Sequence, residues 1–163
     1  MISLSWQIRD SNGVLIVGPK YHIVRLSPSV IVPELITNIT GIDRKVMDEK
    51  GVPLNRILDS FEKDLYKTKV EKIVAHNVEF DKGFIQHSSL LRGWHDDPLL
   101  NYLDTIKTEC TCEMSGYKKL TVAIKEYLKE EQENAHNAVD DMDYCMRVYF
   151  FLKKGMVVPK TCV

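Results

Sequence analysis

The chain has 163 residues, enough for one domain with its own core, and its 44% hydrophobic and 28% charged residues suit a soluble globular protein rather than a disordered or membrane-embedded one. A net charge of −1 excludes the broad basic surface of a duplex-wrapping protein; it leaves room for a small site that grips one nucleic-acid end, or for one in which metal ions supply the positive charge. No apolar run reaches the roughly 18 residues of a membrane span, and the start, Met1-Ile2-Ser3-Leu4-Ser5-Trp6, lacks the basic flank of a secretion signal, so no membrane partner is expected.

In chain order, Ile2, Leu4, Trp6 and Ile8 alternate with polar residues as one face of a strand. Asp10-Ser11-Asn12-Gly13 is turn-forming, and Val14 to Val17 and Tyr21 to Leu26 read as strand again, interrupted by Gly18-Pro19. Residues 27 to 53 look like connecting structure with short helices. Asp43 can cap a helix ending near Gly51. After Pro53, the residues Leu54, Ile57, Leu58, Phe61 and Leu65 follow at helical spacing. Lys72 to Asn77 predicts a short buried strand with a polar end, and Phe80 to Leu91 a helix. Tyr102-Leu103-Asp104-Thr105 reads as another strand. Leu120, Ala123, Ile124, Tyr127 and Leu128 give a further helix, and a last long one runs from about Ala138 to Lys153, ended by Gly155. The order predicts an α/β fold, a mixed sheet covered by helices. Residues 1–155 form the expected domain and 156–163 a tail. Trp6, Trp94, Tyr149, Phe150 and Phe151 are expected in the core.

Cys110, Cys112, Cys145 and Cys162 are the cysteines. Cys110-Thr111-Cys112 is too tight for a zinc pair, and no Cys/His pair follows. Free thiols are expected, in the reducing interior of a cell, cytoplasmic or nuclear.

Two segments carry chemistry. In the last helix Ala138, Asp141, Met142, Cys145, Val148, Tyr149 and Leu152 share one stripe, and Asp141 is its only charge. A carboxylate on a packing face needs a partner, a metal ion or a buried base. Asp140 and Asp143 point elsewhere and can sit in water, and Asp143 with Arg147 reads as a surface pair. The second segment is Val74-Ala75-His76-Asn77-Val78-Glu79-Phe80-Asp81. Asp81 lies on one helical face with Phe84, Ile85 and Ser88. Alone, it reads as a charge favoured at a helix N-terminus. Together with Asp141 it suits a divalent cation with oxygen ligands. His136 and Asp141 would diverge by about 140° if both were helical, so His136 must precede the helix to face the same site. There it can take a proton from bound water, or simply cap the helix at the surface. His76 and Asn77 are candidate substrate contacts or strand-end hydrogen-bonders. Phe80 and Phe84 can line the site, although core packing is the default. Lys118 and Lys119 could meet phosphates, with a solvated face as the default.

His136-Asn137-Ala138-Val139-Asp140-Asp141 resembles the third motif of the DEDDh 3′–5′ exonucleases, read as His, four residues, Asp. His76-Asn77 followed by Phe80-Asp81 resembles their second motif. Ile39-Thr40-Gly41-Ile42 resembles their His-Gly-Ile turn, and Asp104-Thr105 the Asp-Thr after their last strand. The family includes the epsilon-like subunits of bacterial DNA polymerase III. The resemblance implies a ribonuclease H-like fold. It implies hydrolysis of a 3′-terminal phosphodiester of single-stranded DNA or RNA to release a nucleoside monophosphate, with two Mg²⁺ or Mn²⁺ ions. It implies Asp81 and Asp141 as metal-site carboxylates and His136 as general base, with a polymerase or other replication protein as a candidate partner.

One departure matters. The family's first motif, Asp-x-Glu on the central first strand, does not precede Ile2-Ser3-Leu4-Ser5-Trp6-Gln7-Ile8, which matches the second strand. The expectation is an N-terminally shortened chain with its first strand missing and two of four metal-site carboxylates kept. Upstream coding sequence carrying Asp-x-Glu is the observation that tests it. The competing readings are a catalytically impaired relative that binds nucleic acid or a partner, and a structural α/β domain whose aspartates are met by Lys or Arg.

Overall fold

A computed structural model describes residues 1–93, 97–132 and 137–161. The expectations for Trp94, Ala135, His136 and Cys162 lie outside the described residues.

The first layer is a hairpin. Strands β1 (Ser3–Arg9) and β2 (Leu15–Ile23) pair antiparallel, with Ser3 opposite Ile23 and Trp6 opposite Lys20. Asp10 sets the turn: its Oδ1 accepts the backbone N–H groups of Asn12 and Val14, at 2.8 and 2.9 Å. β2 is one strand where two were expected. Its register with β1 shifts between Trp6 and Ile8, so Gly18 and Pro19 together face Gln7 as a bulge and pairing resumes beyond it.

Helices α1 (Glu34–Thr40) and α2 (Arg44–Lys50) follow. Asp43 caps α2 by accepting the Val46 N–H at 2.8 Å. Helix α3 (Leu54–Thr68) buries Ile57, Leu58, Phe61 and Leu65, the stripe its sequence spaces at helical period. Strand β3 (Lys72–Ala75) leads into α4 (Val78–Leu90). Then come α5 (Pro98–Thr105), β4 (Lys107–Cys110), α6 (Thr111–Met114) and α7 (Leu120–Ala123), which runs on into a π-helical turn at Ile124–Leu128. Helix α8 (Ala138–Lys154) ends at Gly155, which adopts the left-handed conformation at φ 64°. No helix among the described residues is long and apolar enough to cross a membrane.

β3 and β4 pair parallel, Lys72 opposite Lys107 and Ala75 opposite Cys110. No ladder joins this pair to the hairpin among the described residues. Side chains do what the ladder does not. Trp6 and Val24 from the hairpin side pack with Ile57, Leu58 and Phe61 of α3, Ile85 of α4, and Leu99 and Leu103 of α5. α8 lies against β1, β2 and β3. Its Tyr144 and Val148 pack with Ala123 and Ile124, and its Met146 and Phe150 with Val158. Small sheets flanked by helices make this a mixed α/β fold.

Several expectations are corrected. Tyr102-Leu103-Asp104-Thr105 is not a strand but the last turn of α5. Pro98 at the helix start and Asp97, which accepts the Leu99 N–H at 2.9 Å, nucleate the helix, and Leu99 and Leu103 are buried one turn apart. The strand comes after it, so Asp104-Thr105 does not follow the last strand. β3 is half-buried at all four residues rather than fully buried, because it has one neighbouring strand. Asp143 does not sit in water: it is 2% exposed, and its Oδ1 accepts the Thr161 N–H at 3.0 Å. Arg147 is no surface residue either. It is 4% exposed, and its Nε donates to the Val158 carbonyl at 3.0 Å and its Nη1 to Glu130 Oε2 at 2.7 Å. The hairpin and residues 156–161 cover that side of α8. Phe80 and Phe84 are not core residues; both are exposed. Of the other aromatics, Trp6 and Phe150 are buried, while Tyr149 and Phe151 are half-buried.

Candidate active site

The site lies where α4 and α8 begin. Asn77 ends the turn after β3 in the left-handed conformation, φ 82°, and its carbonyl accepts the N–H groups of Phe80 and Asp81 as α4 starts. Asn137 starts α8 by accepting the Val139 N–H on its side chain at 3.0 Å. The hydroxyl of Ser5 on β1 donates to the Ala138 carbonyl at 2.6 Å and fastens that end of the helix to the hairpin. Asp81 and Asp141 each stand at the fourth position of their helix.

The two carboxylates feel each other. Crowding by protein and then the negative charge of Asp141 push the Asp81 carboxyl up to about 6. Asp81 is nonetheless exposed in surface area. Its carboxylate is thus crowded by protein while the residue keeps an open face to solvent. Asp141 is half-buried, and one of its oxygens accepts the side-chain N–H of Gln132.

Behind the acids is a hydrogen-bonded wall. His76 Nε2 lies 2.9 Å from the Lys118 carbonyl, and Nδ1 lies 2.9 Å from the Thr111 hydroxyl. Thr111 also meets Cys145 Sγ at 3.4 Å. Burial lowers the His76 pKa, against the carbonyl of Lys118 and the charge of Asp141, which raise it. Burial pushes the Cys145 thiol up to about 12, so it stays protonated. Cys110, Cys112 and Cys145 are free thiols.

These facts test the fit of a metal centre. Both ring nitrogens of His76 are taken by protein groups, and Cys145 is a neutral, soft donor. Among the described residues Asp81 and Asp141 are the carboxylates that meet here, and no group of three or more metal-ligating side chains is gathered among them. Two carboxylates can hold one hard cation in part. By themselves these two fall short of the ligand set a two-ion centre needs.

On the outer side of α4, Phe80 and Phe84 lie in contact, tilted by 58° with ring centroids 4.7 Å apart. An open groove beside them is lined by Glu79, Gly83 and His87. The structure thus brings Asp81, Asp141 and His76 to one place, with Asn77 at the α4 start and the phenylalanine pair on the adjoining face. Sequence reading missed Thr111, Gln132 and the Lys118 carbonyl. Thr111 could have been found by placing the strand at Lys107–Cys110; a backbone carbonyl and a loop glutamine leave no pattern.

The family model for exonucleases matches residues 8–149, from the first strand into the last long helix. The chain belongs to the exonuclease family. The mixed α/β architecture of this exonuclease domain is consistent with a ribonuclease H-like fold, and the match includes the starts of both helices that carry the acid pair. No curated protein matches the chain.

Proposed function

We propose that this exonuclease domain removes nucleotides from the 3′ end of single-stranded DNA or RNA. The observation that carries this reading is the pairing of Asp81 and Asp141 at two helix starts, close enough for one to raise the other's pKa. Such a pair is unfavourable unless it serves a ligand that needs negative charge. A divalent cation beside a terminal phosphodiester is that ligand, and the reading includes dependence on Mg²⁺ or Mn²⁺. The reaction is hydrolysis: a water oxygen bonds to the phosphorus, the bond from phosphorus to the 3′-oxygen breaks, and that oxygen takes up a proton. Phe80 and Phe84 lie on the same helix as Asp81 and can stack on unpaired bases. His136 is assigned as the base by resemblance alone, and DEDDh character with it.

A second reading is favoured by the small set of hard donors. Under it the domain binds a strand end and cuts poorly or not at all.

One experiment separates the two. A 5′-labelled oligonucleotide is incubated with the protein and Mg²⁺ or Mn²⁺, and the ladder is followed by gel. Stepwise shortening from the 3′ end, lost in Asp141→Asn and in chelator, supports the exonuclease. Binding without shortening supports the second reading, and neither binding nor shortening overturns both.

A further inference from the structure

The segment between α6 and α7 has three features that packing alone does not require. Tyr117 adopts φ 59°, a left-handed conformation that a bulky residue rarely takes. Its side chain is 79% exposed, so no core contact holds it there. Its backbone is nonetheless pinned. The Tyr117 N–H donates to the Cys112 carbonyl at 2.7 Å, and the neighbouring Lys118 carbonyl meets His76 Nε2 at 2.9 Å.

The tautomer of His76 follows from its partners. A carbonyl oxygen only accepts, so Nε2 carries the proton and donates to Lys118. In the neutral ring Nδ1 is then an acceptor, and the Thr111 hydroxyl donates to it. The Thr111 oxygen is left to accept from the protonated Cys145 thiol. If the ring takes a second proton, the Thr111 hydroxyl can turn to the Ala75 carbonyl, 3.4 Å away, and the Lys118 bond survives. The tie between ring and loop thus holds in both states. The same ring feels the charge of Asp141. One imidazole therefore joins the neighbourhood of the acid pair to the loop that carries Tyr117.

We propose that His76 is a positioning residue that pins the loop beside the acid pair, and that Tyr117, so held, is an aromatic surface on which a base of a single-stranded nucleic acid stacks. The proposal rests on the nucleic-acid reading above and extends it to a residue outside the family motifs. Stacking needs an exposed ring on a fixed backbone and no sequence-specific donors, which is what Tyr117 offers. The Lys118 ammonium is turned away to Glu126 and the Tyr127 hydroxyl, which leaves the ring rather than that lysine as the loop's contact.

The test is binding of a fluorescein-labelled oligothymidylate, read by anisotropy in chelator so that cutting plays no part. Tyr117→Ala should weaken binding about tenfold and Tyr117→Phe by less than about twofold. Replacing the bases by abasic sites should remove the difference between wild type and Tyr117→Ala. His76→Gln should weaken binding as Tyr117→Ala does, and the double variant should lose no more than either alone, because the histidine acts through the loop. Thermal melting checks that His76→Gln is folded; if it is not, the Tyr117 variants, changed at an exposed site, decide the matter. Wild-type binding that Tyr117→Ala leaves unchanged overturns this proposal and spares the nucleic-acid reading. A wild-type protein that binds no oligonucleotide overturns both.

Discussion

Asp81 on α4 and Asp141 on α8 stand as like charges at the starts of two helices, and the Asp81 carboxyl is pushed up to about 6, first by burial against protein and then by the charge of Asp141. A helix N-terminus favours a carboxylate. Here crowding by protein and the neighbouring charge outweigh it.

Stability should therefore fall as pH rises through the Asp81 titration. An acid whose folded pKa is above its unfolded value binds its proton more tightly when folded, so the folded state is favoured at low pH and disfavoured once pH passes about 6. Asp81→Asn should melt about 1–2 °C higher than wild type at pH 8, a small gain because the group is open to solvent. The gap should close towards pH 4. Melting curves in chelator at low salt measure it, and a gap that widens at low pH contradicts the assignment.

Asp64 should behave in the opposite sense. Burial alone would raise its pKa, but Lys20 at 2.6 Å and the Trp6 indole N–H at 2.9 Å reverse that and hold it below the ordinary value. Its contribution is present above the unfolded pKa, near 4, and is lost as pH falls through the lower folded one. Asp64→Ala should cost about 2 kcal/mol at pH 7, where it removes the charged partner of Lys20 and leaves the indole donor unpaired, and less at acid pH, where the carboxyl loses its charge and only the indole bond is at stake. Urea unfolding at pH 7 and at acid pH reads the difference.

Arg147 should hold residues 156–161 in place. It donates to the Val158 carbonyl and to Glu130, and Arg9 and Asp143 bind Thr161 from the other side. Arg147→Ala should cost about 2 kcal/mol, a fall in melting temperature of about 4–8 °C. Brief proteolysis should cut the C-terminal segment first. Equal resistance in variant and wild type would refute this.

Gly51 should tolerate no side chain. A Cβ there would lie 2.2 Å from the Met47 carbonyl oxygen and 2.9 Å from Arg25 Cα, both backbone atoms that cannot swing away. Gly51→Ala should lose about 3 kcal/mol by chemical denaturation. A loss under about 0.5 kcal/mol would mean the α2 end relaxes freely.

Phe84→Ala should cost less than about 1 kcal/mol of stability, because the residue is 42% exposed and its ring neighbour Phe80 is exposed too. If the ring stacks on bases, the same change should weaken oligonucleotide binding about tenfold. Anisotropy and melting on one preparation check both halves.

The sequence by itself determined the elements whose reasons are local. Periodicity of 3.6 residues marked the buried stripe of α3, Asp43 and Gly51 marked the ends of α2, and alternation marked the face of β1 that carries Trp6 and Ile8. The acid pair was legible too, since a carboxylate sharing a stripe with apolar residues is costly enough to draw notice. Tertiary structure decided what depends on non-local neighbours. Asp143 and Arg147 lie on a helix face that reads as polar, and are buried because the hairpin and residues 156–161 close over it. Phe80 and Phe84 read as core and are exposed, because nothing among the described residues packs over that side of α4. Tyr102 to Thr105 has strand-like composition, yet the Asp97 cap and the pocket that receives Leu99 and Leu103 favour the helix. Burial is set by the surface that folds against a residue, and a single helix or strand does not encode which surface that will be.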